Sequence, residues 1–465
     1  MKKILLASML VLAFSACKST KQKSGSDQLV VAKIDLVNVQ DDKVGVSVDP
    51  GKFIQDTTTF FIPKTVPGTY DVSNYGQFVE QVKAWNYDGN ELTVNQLNEN
   101  AWQITNAAEL DKVTYLVNDT YDIEGEEGVF SPAGTNIEAG ENFMLNLHGF
   151  VGYFKEKKEQ PYKLQINHPS DLIASSSLTK TLSENPETGA ATDIFSFPRY
   201  FQVTDHPIMY AKPDTISFEL QGMDVLLSVY SPNQVYSTED ISASLKEMVE
   251  AQKSFLGDIN NTGKYAILLY LSDMNTPDAR GFGALEHHTS TTVVLPEAMP
   301  LERLKQTMTD VVSHEFFHTL TPLNVHSKEI HYFDYNDPKM SKHLWMYEGV
   351  TEYFANLFQV NQGLITPAEF YDRMSKKIKT SRNFDDTMPF TVMSENILQD
   401  NYHDSYYNVY QKGALIGMAL DIRLRELSNG ETGILNLMKK LSQKYGKNKP
   451  FNDDELFDDI VAMTY

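Results

Sequence analysis

The spacing of the apolar residues changes once along the chain, and this change constrains the fold more than any other feature. Before Ser231-Pro232 apolar and polar residues mostly alternate, as in half-buried strands, at residues 44–48, 113–117 and 215–230. Asp88-Gly89 stands between two strand-like runs and indicates a hairpin turn. After residue 232 helical spacing dominates. The sequence predicts a multidomain chain, with a β-rich domain over residues 28–230 followed by an α+β domain over residues 231–465 that ends in helices.

Several start and stop signals place elements in the second half. Ser237 and Asp240 fit a capping box that opens a helix. Residues 264–271 (KYAILLYL) and 291–295 have the composition of buried strands. Thr366-Pro367 begins another helix, and Asn429-Gly430 ends a later one.

The N-terminus has the pattern of a bacterial secretory signal. Lys2 and Lys3 precede a short apolar stretch, and small residues lead to Cys17, as in a lipobox. We therefore predict a signal peptide over residues 1–16, then a lipidated Cys17 and a polar tether through residue 27. Cys17 is the sole cysteine, which excludes an intrachain disulfide. Since no Asp follows Cys17, we expect a cell-envelope protein anchored in the outer membrane and facing the periplasm.

Residues 314–318 form an HExxH motif within a helical apolar pattern. Residues four apart lie on one helix face, so that His314 and His318 can bind one metal ion. One Zn²⁺ ion suits two imidazoles and keeps a position open for water when three protein ligands are present. Glu315 is placed to act as general base toward that water.

The third ligand is not fixed by this motif. A further histidine at the metzincin spacing is absent, because Asn324 occupies that position. His326, His331 and His343 follow in a loop and are ligands by chemistry, although we expect them to be solvated. Glu348 lies further downstream and opens another helical run.

Three more segments carry a family resemblance. They are residues 283–287 (GALEH), residues 348–353 (EGVTEY) and residues 410–413 (YQKG). With HExxH, they make the sequence resemble the glycyl aminopeptidase family of gluzincin zinc peptidases. The resemblance implies a thermolysin-like catalytic domain and an aminopeptidase that removes small first residues, Gly or Ala, by a zinc-activated water.

The resemblance also implies roles for individual residues. Glu348 is expected to be the third zinc ligand. Glu286 is expected to bind the free α-amino group of a peptide, and the backbone at Gly283 and Ala284 to lie along the peptide. Tyr410 is expected to donate to the oxyanion that forms at the scissile carbonyl.

Other residues stay open at this stage. Tyr406 and Tyr407 are rivals for the role of Tyr410. Glu352 lies one turn beyond Glu348 and is a candidate to orient a metal ligand. His287 and His288 fit either a substrate cleft or a strand edge.

The net charge of the chain limits the kinds of partner that it can bind. The formal net charge of −22 argues against a nucleic-acid partner, whose phosphates require a basic surface. Two alternatives to an aminopeptidase remain: an endopeptidase with the same metal site, or a non-catalytic peptide-binding lipoprotein.

Many members of the resembled family carry a PDZ domain after the catalytic domain. The sequence ends at Tyr465 within a predicted helix, which leaves the C-terminal extent open. The oligomeric state is not indicated.

Overall fold

The computed structural model describes residues 29–123, 129–185, 189–259 and 262–464. The predicted signal peptide, Cys17 and the tether lie outside the described residues. In the described part of the chain, no helix has the length and apolar character needed to cross a membrane.

The first part of the chain is built from three sheets. The largest has eight described strands in the order Thr181–Asn185, Ala190–Phe197, Tyr162–Pro169, Val30–Gln40, Lys43–Asp49, Leu110–Asn118, Val79–Asn86 and Glu91–Leu92. The second has the order Ile173–Ser175, Ile208–Ala211, Asn142–Leu145 and Asn136–Glu138. The third has the order Tyr153–Phe154, Thr57–Phe61, Ala101–Thr105 and Val94–Asn98.

Alternation of apolar residues explains why these segments are strands. Val44, Val46 and Val48 are all buried on one face of Lys43–Asp49. The predicted turn at Asp88-Gly89 joins Val79–Asn86 to Glu91–Leu92 as an antiparallel pair. Short helical segments interrupt the strands at Tyr75–Phe78, Ala107–Glu109, Ser131–Ala133, Leu147–Phe150, Lys155–Lys157 and Tyr200–Thr204.

A mixed five-stranded sheet forms the base of the second part. Its order is Thr215–Leu220, Met223–Tyr230, Lys264–Ser272, Ser290–Pro296 and Gly283–His287. Lys264–Ser272 is the central strand. It pairs in parallel on both sides and is buried at every residue after Lys264, which explains its continuous apolar run.

The hairpin at residues 215–230 corrects the predicted domain boundary. We placed this strand pair in the first domain, ending at residue 230. The pair exists, but Met223–Tyr230 hydrogen-bonds in parallel to Lys264–Ser272, so the hairpin belongs to the sheet of the second part. Alternation shows that a strand exists but does not show which sheet it joins.

Helices pack beside this sheet and dominate the rest of the chain. The helices are Thr238–Leu256, Leu301–Phe317, Lys328–His331, Thr351–Asn361, Pro367–Ser381, Phe390–Glu395, Asp400–His403, Ala414–Leu427, Ile434–Lys444 and Leu456–Thr464. Trp345–Val350 and Val409–Gly413 are π-helical turns, and Asp453–Glu455 is a 3₁₀ turn. The capping box predicted at Ser237 is present, and the helix predicted to start at Thr366-Pro367 also opens with a capping box. The fold is thus the predicted β-rich part followed by an α+β part that ends in helices.

Candidate active site

The helix Leu301–Phe317 carries the HExxH motif. It packs against Thr238–Leu256 and Thr351–Asn361, and its last turn is buried. His318 follows the helix with helical backbone angles, φ −60° and ψ −19°, so that it still lies one turn beyond His314. The two rings meet edge to face with centroids 4.8 Å apart.

Three side chains converge at a position suited to a metal ion. The ligand atoms of His314, His318 and Glu348 all lie within 4.8 Å of one another. Glu348 Oε2 is 3.2 Å from His314 Nε2 and 3.6 Å from His318 Nε2. Tetrahedral zinc with bonds of about 2.0–2.1 Å separates neighbouring ligand atoms by about 3.3 Å. The donor set and its spacing therefore fit a zinc ion.

The far side of each imidazole is held by a hydrogen bond, which leaves Nε2 facing the ion position. His314 Nδ1 donates to Glu352 Oε2 at 2.9 Å, and His318 Nδ1 donates to the carbonyl of Thr321 at 3.1 Å. Such contacts fix the tautomer and orientation of a metal-binding histidine. Glu352 thus takes the orienting position anticipated from its spacing.

Lys377 was not anticipated in the site. Its Nζ donates to Glu352 Oε1 at 2.7 Å and to the carbonyl of Tyr410 at 2.8 Å. Burial raises the pKa of Glu352, but the charge of Lys377 and the bond from His314 outweigh it and hold that pKa at about 2. Lys377 lies on an amphipathic helix, Pro367–Ser381, where a lysine is usually solvated.

Two π-helical turns bring Glu348 and Tyr410 to the site. Glu348 lies on Trp345–Val350, and Tyr410 lies on Val409–Gly413. The turns touch at Gly349 and Gly413: a Cβ built on Gly349 would lie 2.5 Å from the backbone of Gly413. Both segments therefore need glycine at the point of contact, which explains the Glu-Gly and Tyr-x-Lys-Gly patterns physically.

Glu286 lies on the edge strand Gly283–His287, and its carboxylate is close to that of Glu315. The ligand atoms of Glu286, Glu315 and His318 are within 4.8 Å of one another. Burial, with the charges of Glu348 and Glu315, raises the pKa of Glu286 well above its usual value. Burial likewise raises the pKa of Glu315 to about 8. This concentration of buried carboxylates favours binding of a cation.

Gly283 and Ala284 lie on the outer edge of the sheet. Gly283–His287 stands at one end of the sheet order and pairs only with Ser290–Pro296 among the described strands. Ala284 lines the same cavity as the metal-site residues. A side chain at Gly283 would come within 2.9 Å of the Phe130 ring. The outer side of this strand therefore has no strand partner among the described residues, and Phe130 lies close to it at Gly283.

Tyr410 faces the site together with Tyr406. The Tyr410 ring lies 5.6 Å from the His314 ring, and its hydroxyl is hydrogen-bonded to the Tyr406 hydroxyl at 2.7 Å. Tyr407 also lines the cavity but is largely exposed. Burial raises the pKa of both Tyr406 and Tyr410, which keeps their hydroxyls protonated.

The first part of the chain also contributes to the site, which sequence reasoning missed. Tyr70 donates a hydrogen bond to Glu348 Oε1 at 3.0 Å. A Cβ on Gly68 would lie 2.8 Å from both carboxylate oxygens of Glu286, so the Gly68 backbone covers one face of that group. No periodicity or motif in this segment pointed to the site.

The loop histidines correct a prediction. We expected His326, His331 and His343 to be solvated, but His326 and His343 are buried. His326 stacks on His331, with their ring nitrogens 2.9 Å apart, and His343 donates to the carbonyl of Asp453 at 2.8 Å. Burial lowers the pKa of His326 to about 3. Hydrogen bonds to neighbouring groups allow these imidazoles to be buried.

His287 and His288 surround a buried carboxylate at the end of the edge strand. His288 Nδ1 donates to Asp205 Oδ2 at 2.9 Å, and His287 Nδ1 lies 3.7 Å from Asp205 Oδ1. Both histidines line a second cavity, which Glu286 also lines. His287 therefore ends the strand and His288 follows it, and neither lines the cavity that contains the metal-site residues.

Family models match two regions of the chain. Residues 32–212 match the Peptidase M61 N-terminal domain, and residues 307–416 match the M61 glycyl aminopeptidase domain. Together these regions cover more than half of the chain, and the second contains the HExxH motif, Glu348 and Tyr410. No curated protein matches the chain in sequence.

Solved structures share the fold. An aminopeptidase N family protein from Idiomarina loihiensis is 20% identical with a TM-score of 0.78, over 92% of this chain and 72% of that chain. A point mutant of an M1 zinc metallopeptidase from Deinococcus radiodurans, bound to a Tyr-Ser-Ala substrate, is 14% identical with a TM-score of 0.54, over 94% of this chain and 90% of that chain.

Fold and family are therefore those of a zinc aminopeptidase-type peptidase. The sequence motifs, the two family models and the shared architecture agree on this point. The chain belongs to the M61 glycyl aminopeptidase family of peptidases.

Proposed function

We propose that the protein is a zinc aminopeptidase that binds a peptide by its free N-terminus and hydrolyses the first peptide bond. One observation carries this proposal. A buried carboxylate, Glu286, lies within 4.8 Å of Glu315 and His318, and His318 also belongs to the metal-binding triad. A single residue of peptide can then span from an amino anchor to the reacting carbonyl.

A zinc ion held by His314, His318 and Glu348 would supply an activated water and polarise the scissile carbonyl. Glu315 takes the proton from the attacking water and passes it toward the leaving amine. Burial raises the proton affinity of the Glu315 carboxylate, which suits it to this transfer.

Glu286 provides the amino anchor in this proposal. Because Gly68 covers one face of its carboxylate, a substrate ammonium group approaches from the side of Glu315 and His318. The ammonium forms a charge-assisted hydrogen bond with Glu286 and lowers the pKa of that carboxylate. The backbone of Gly283 and Ala284 lies along the following residues. The preference for Gly or Ala as first residue rests on family membership.

The experiment that tests this anchor compares wild type with Glu286→Gln. On peptides with a free N-terminus, we expect kcat/KM to fall roughly 30- to 5,000-fold. This corresponds to a loss of about 2–5 kcal/mol of binding free energy in the transition state, because the ammonium group loses its charged partner. Zinc content should be unchanged, since Glu286 is not one of the three converging ligands. Wild-type kcat/KM in this variant would contradict the assignment of Glu286 as the amino anchor.

Tyr410 is the proposed donor to the oxyanion. Tyr410 lines the cavity, and burial raises the pKa of its hydroxyl, which keeps it protonated as a donor requires. We expect Tyr410→Phe to lower kcat by roughly 10²–10³-fold with little change in KM, as for other oxyanion donors. Tyr406→Phe serves as the comparison. A larger loss in Tyr406→Phe than in Tyr410→Phe would assign the role to Tyr406.

We also propose a lipid anchor at Cys17 in the outer membrane, facing the periplasm. The support is the signal-like N-terminus and the lipobox pattern before Cys17. Mass spectrometry of the mature N-terminus tests this: a diacylglyceryl-modified Cys17 is expected, and an unmodified N-terminus beyond Cys17 would contradict it.

A further inference from the structure

Tyr70 reaches the metal site from the first part of the chain. Its side chain is buried, its hydroxyl donates to Glu348 Oε1 at 3.0 Å, and its ring packs against Tyr406 with centroids 5.4 Å apart. The two ends of this hydrogen bond are 278 residues apart in sequence. The proposed reaction does not use the hydrogen bond between Tyr70 and Glu348.

The segment that carries Tyr70 is held in place by its own bonds. Thr69 Oγ1 donates to the carbonyl of Val66 at 3.0 Å, and the amides of Ser73 and Asn74 donate to the carbonyl of Lys64 at 3.0 and 2.9 Å. Tyr70 itself has φ 51°, a left-handed conformation that is unfavourable in a residue with a side chain. The surrounding bonds maintain this conformation, which directs the ring toward Glu348.

The two oxygens of Glu348 have different partners. Oε2 faces the ion position, 3.2 Å from His314 Nε2 and 3.6 Å from His318 Nε2. Oε1 accepts the hydrogen bond from Tyr70. A carboxylate without such a partner can offer both oxygens to a metal ion. The Tyr70 hydroxyl therefore engages the oxygen that would otherwise be free to become a second metal ligand.

We propose that Tyr70 is a positioning residue that makes Glu348 bind the metal through Oε2 alone. This inference rests on the proposed function, since it assumes that the triad holds the ion. It gives the first part of the chain a direct role in the metal site, because Tyr70 completes the outer contacts of Glu348 as Glu352 and Thr321 do for the two histidines. A ligand held through one oxygen leaves a coordination position for water and substrate.

Tyr70→Phe in the full-length protein tests the proposal, because it removes one oxygen and keeps the ring against Tyr406. We expect zinc affinity, measured by competition with a chromogenic chelator, to fall 10- to 100-fold, as for other residues that orient metal ligands. We also expect the visible absorption band of the Co²⁺-substituted protein to change, because Glu348 can then offer both oxygens. Tyr75→Phe is the matched control: it also removes a buried hydroxyl, which donates to the carbonyl of Ala133 at 2.9 Å, but it lies outside the triad.

The possible outcomes distinguish failure of the role proposed for Tyr70 from failure of the zinc site itself. If Tyr70→Phe keeps wild-type zinc affinity and an unchanged Co²⁺ band, the positioning role is wrong while the zinc site stands. If Tyr70→Phe and Tyr75→Phe weaken zinc binding equally, the effect is general destabilisation and the proposal is overturned. If wild type itself does not bind zinc, the proposed function fails, and the inference fails with it.

Discussion

Glu315→Gln is expected to lower kcat by roughly 10²–10⁴-fold while zinc stays bound. The amide keeps the shape of the side chain but cannot accept the proton of the attacking water. Zinc stays because Glu315 is not a member of the triad formed by His314, His318 and Glu348. The measurement is turnover of a free peptide beside metal content of the same preparation.

A control separates this effect from the loss of any buried carboxylate. Glu297 is buried and accepts hydrogen bonds from Asn233, outside the cavity that contains the triad. Glu297→Gln should lower the melting temperature and leave the kcat of the folded enzyme near wild type. If Glu315→Gln retains more than a tenth of wild-type kcat, Glu315 is not the general base.

His318→Ala is expected to abolish both zinc binding and turnover. In the proposed site His318 supplies one of three ligands and is buried, so the alanine would leave the ion with two of its three protein ligands. Dialysis of wild type against a chelator should give the same inactivity, and adding back zinc should restore turnover to wild type but not to His318→Ala.

The matched control for this prediction is His343→Ala. His343 is also a buried histidine with a hydrogen-bonded ring, but it bonds to Asp453 and lies outside the triad. The His343→Ala variant should be less stable than wild type but should keep its zinc. Stoichiometric zinc in His318→Ala, at wild-type affinity, would show that the metal lies elsewhere or that His318 is not one of its ligands.

The parts of the fold that could be predicted are those set by local chemistry. Capping boxes at Ser237 and Thr366 and the turn at Asp88-Gly89 involve residues within four positions of one another, so the sequence contains the whole signal. The hairpin at residues 215–230 was recognised for the same reason. Its assignment to the first domain was wrong because its partner strand begins at Lys264, beyond an entire helix.

The same distinction holds at the site. His314, Glu315 and His318 share a helical turn, and their convergence follows from helix geometry. Glu348, Glu286 and Tyr410 were predicted from patterns of the resembled family. The contact of Gly349 with Gly413 gives one physical reason for the patterns around Glu348 and Tyr410. Tyr70 and Lys377 could not be predicted. Each reaches the site through a long-range contact, and neither stands in a recognisable motif.

The burial of His326 and His343 was not predicted, for a related reason. A histidine in a polar loop is usually exposed, and the sequence does not show the groups that accept its hydrogen bonds. His326 has Asn324 and His331 as partners, and His343 has Asp453, 110 positions away. Where the partners exist, an imidazole can be buried without a metal.

The most direct test of the account is a paired assay with the zinc-loaded wild-type protein. Each peptide of a set is offered with a free and with an N-acetylated first residue, and the products are followed by mass spectrometry. We predict that the free peptides alone are shortened, one residue at a time from the N-terminus, since acetylation removes the charge that Glu286 binds. Cleavage of both forms at internal bonds would contradict the aminopeptidase assignment and make the protein an endopeptidase, and no cleavage of either form would contradict the assignment of a peptidase active on these peptides.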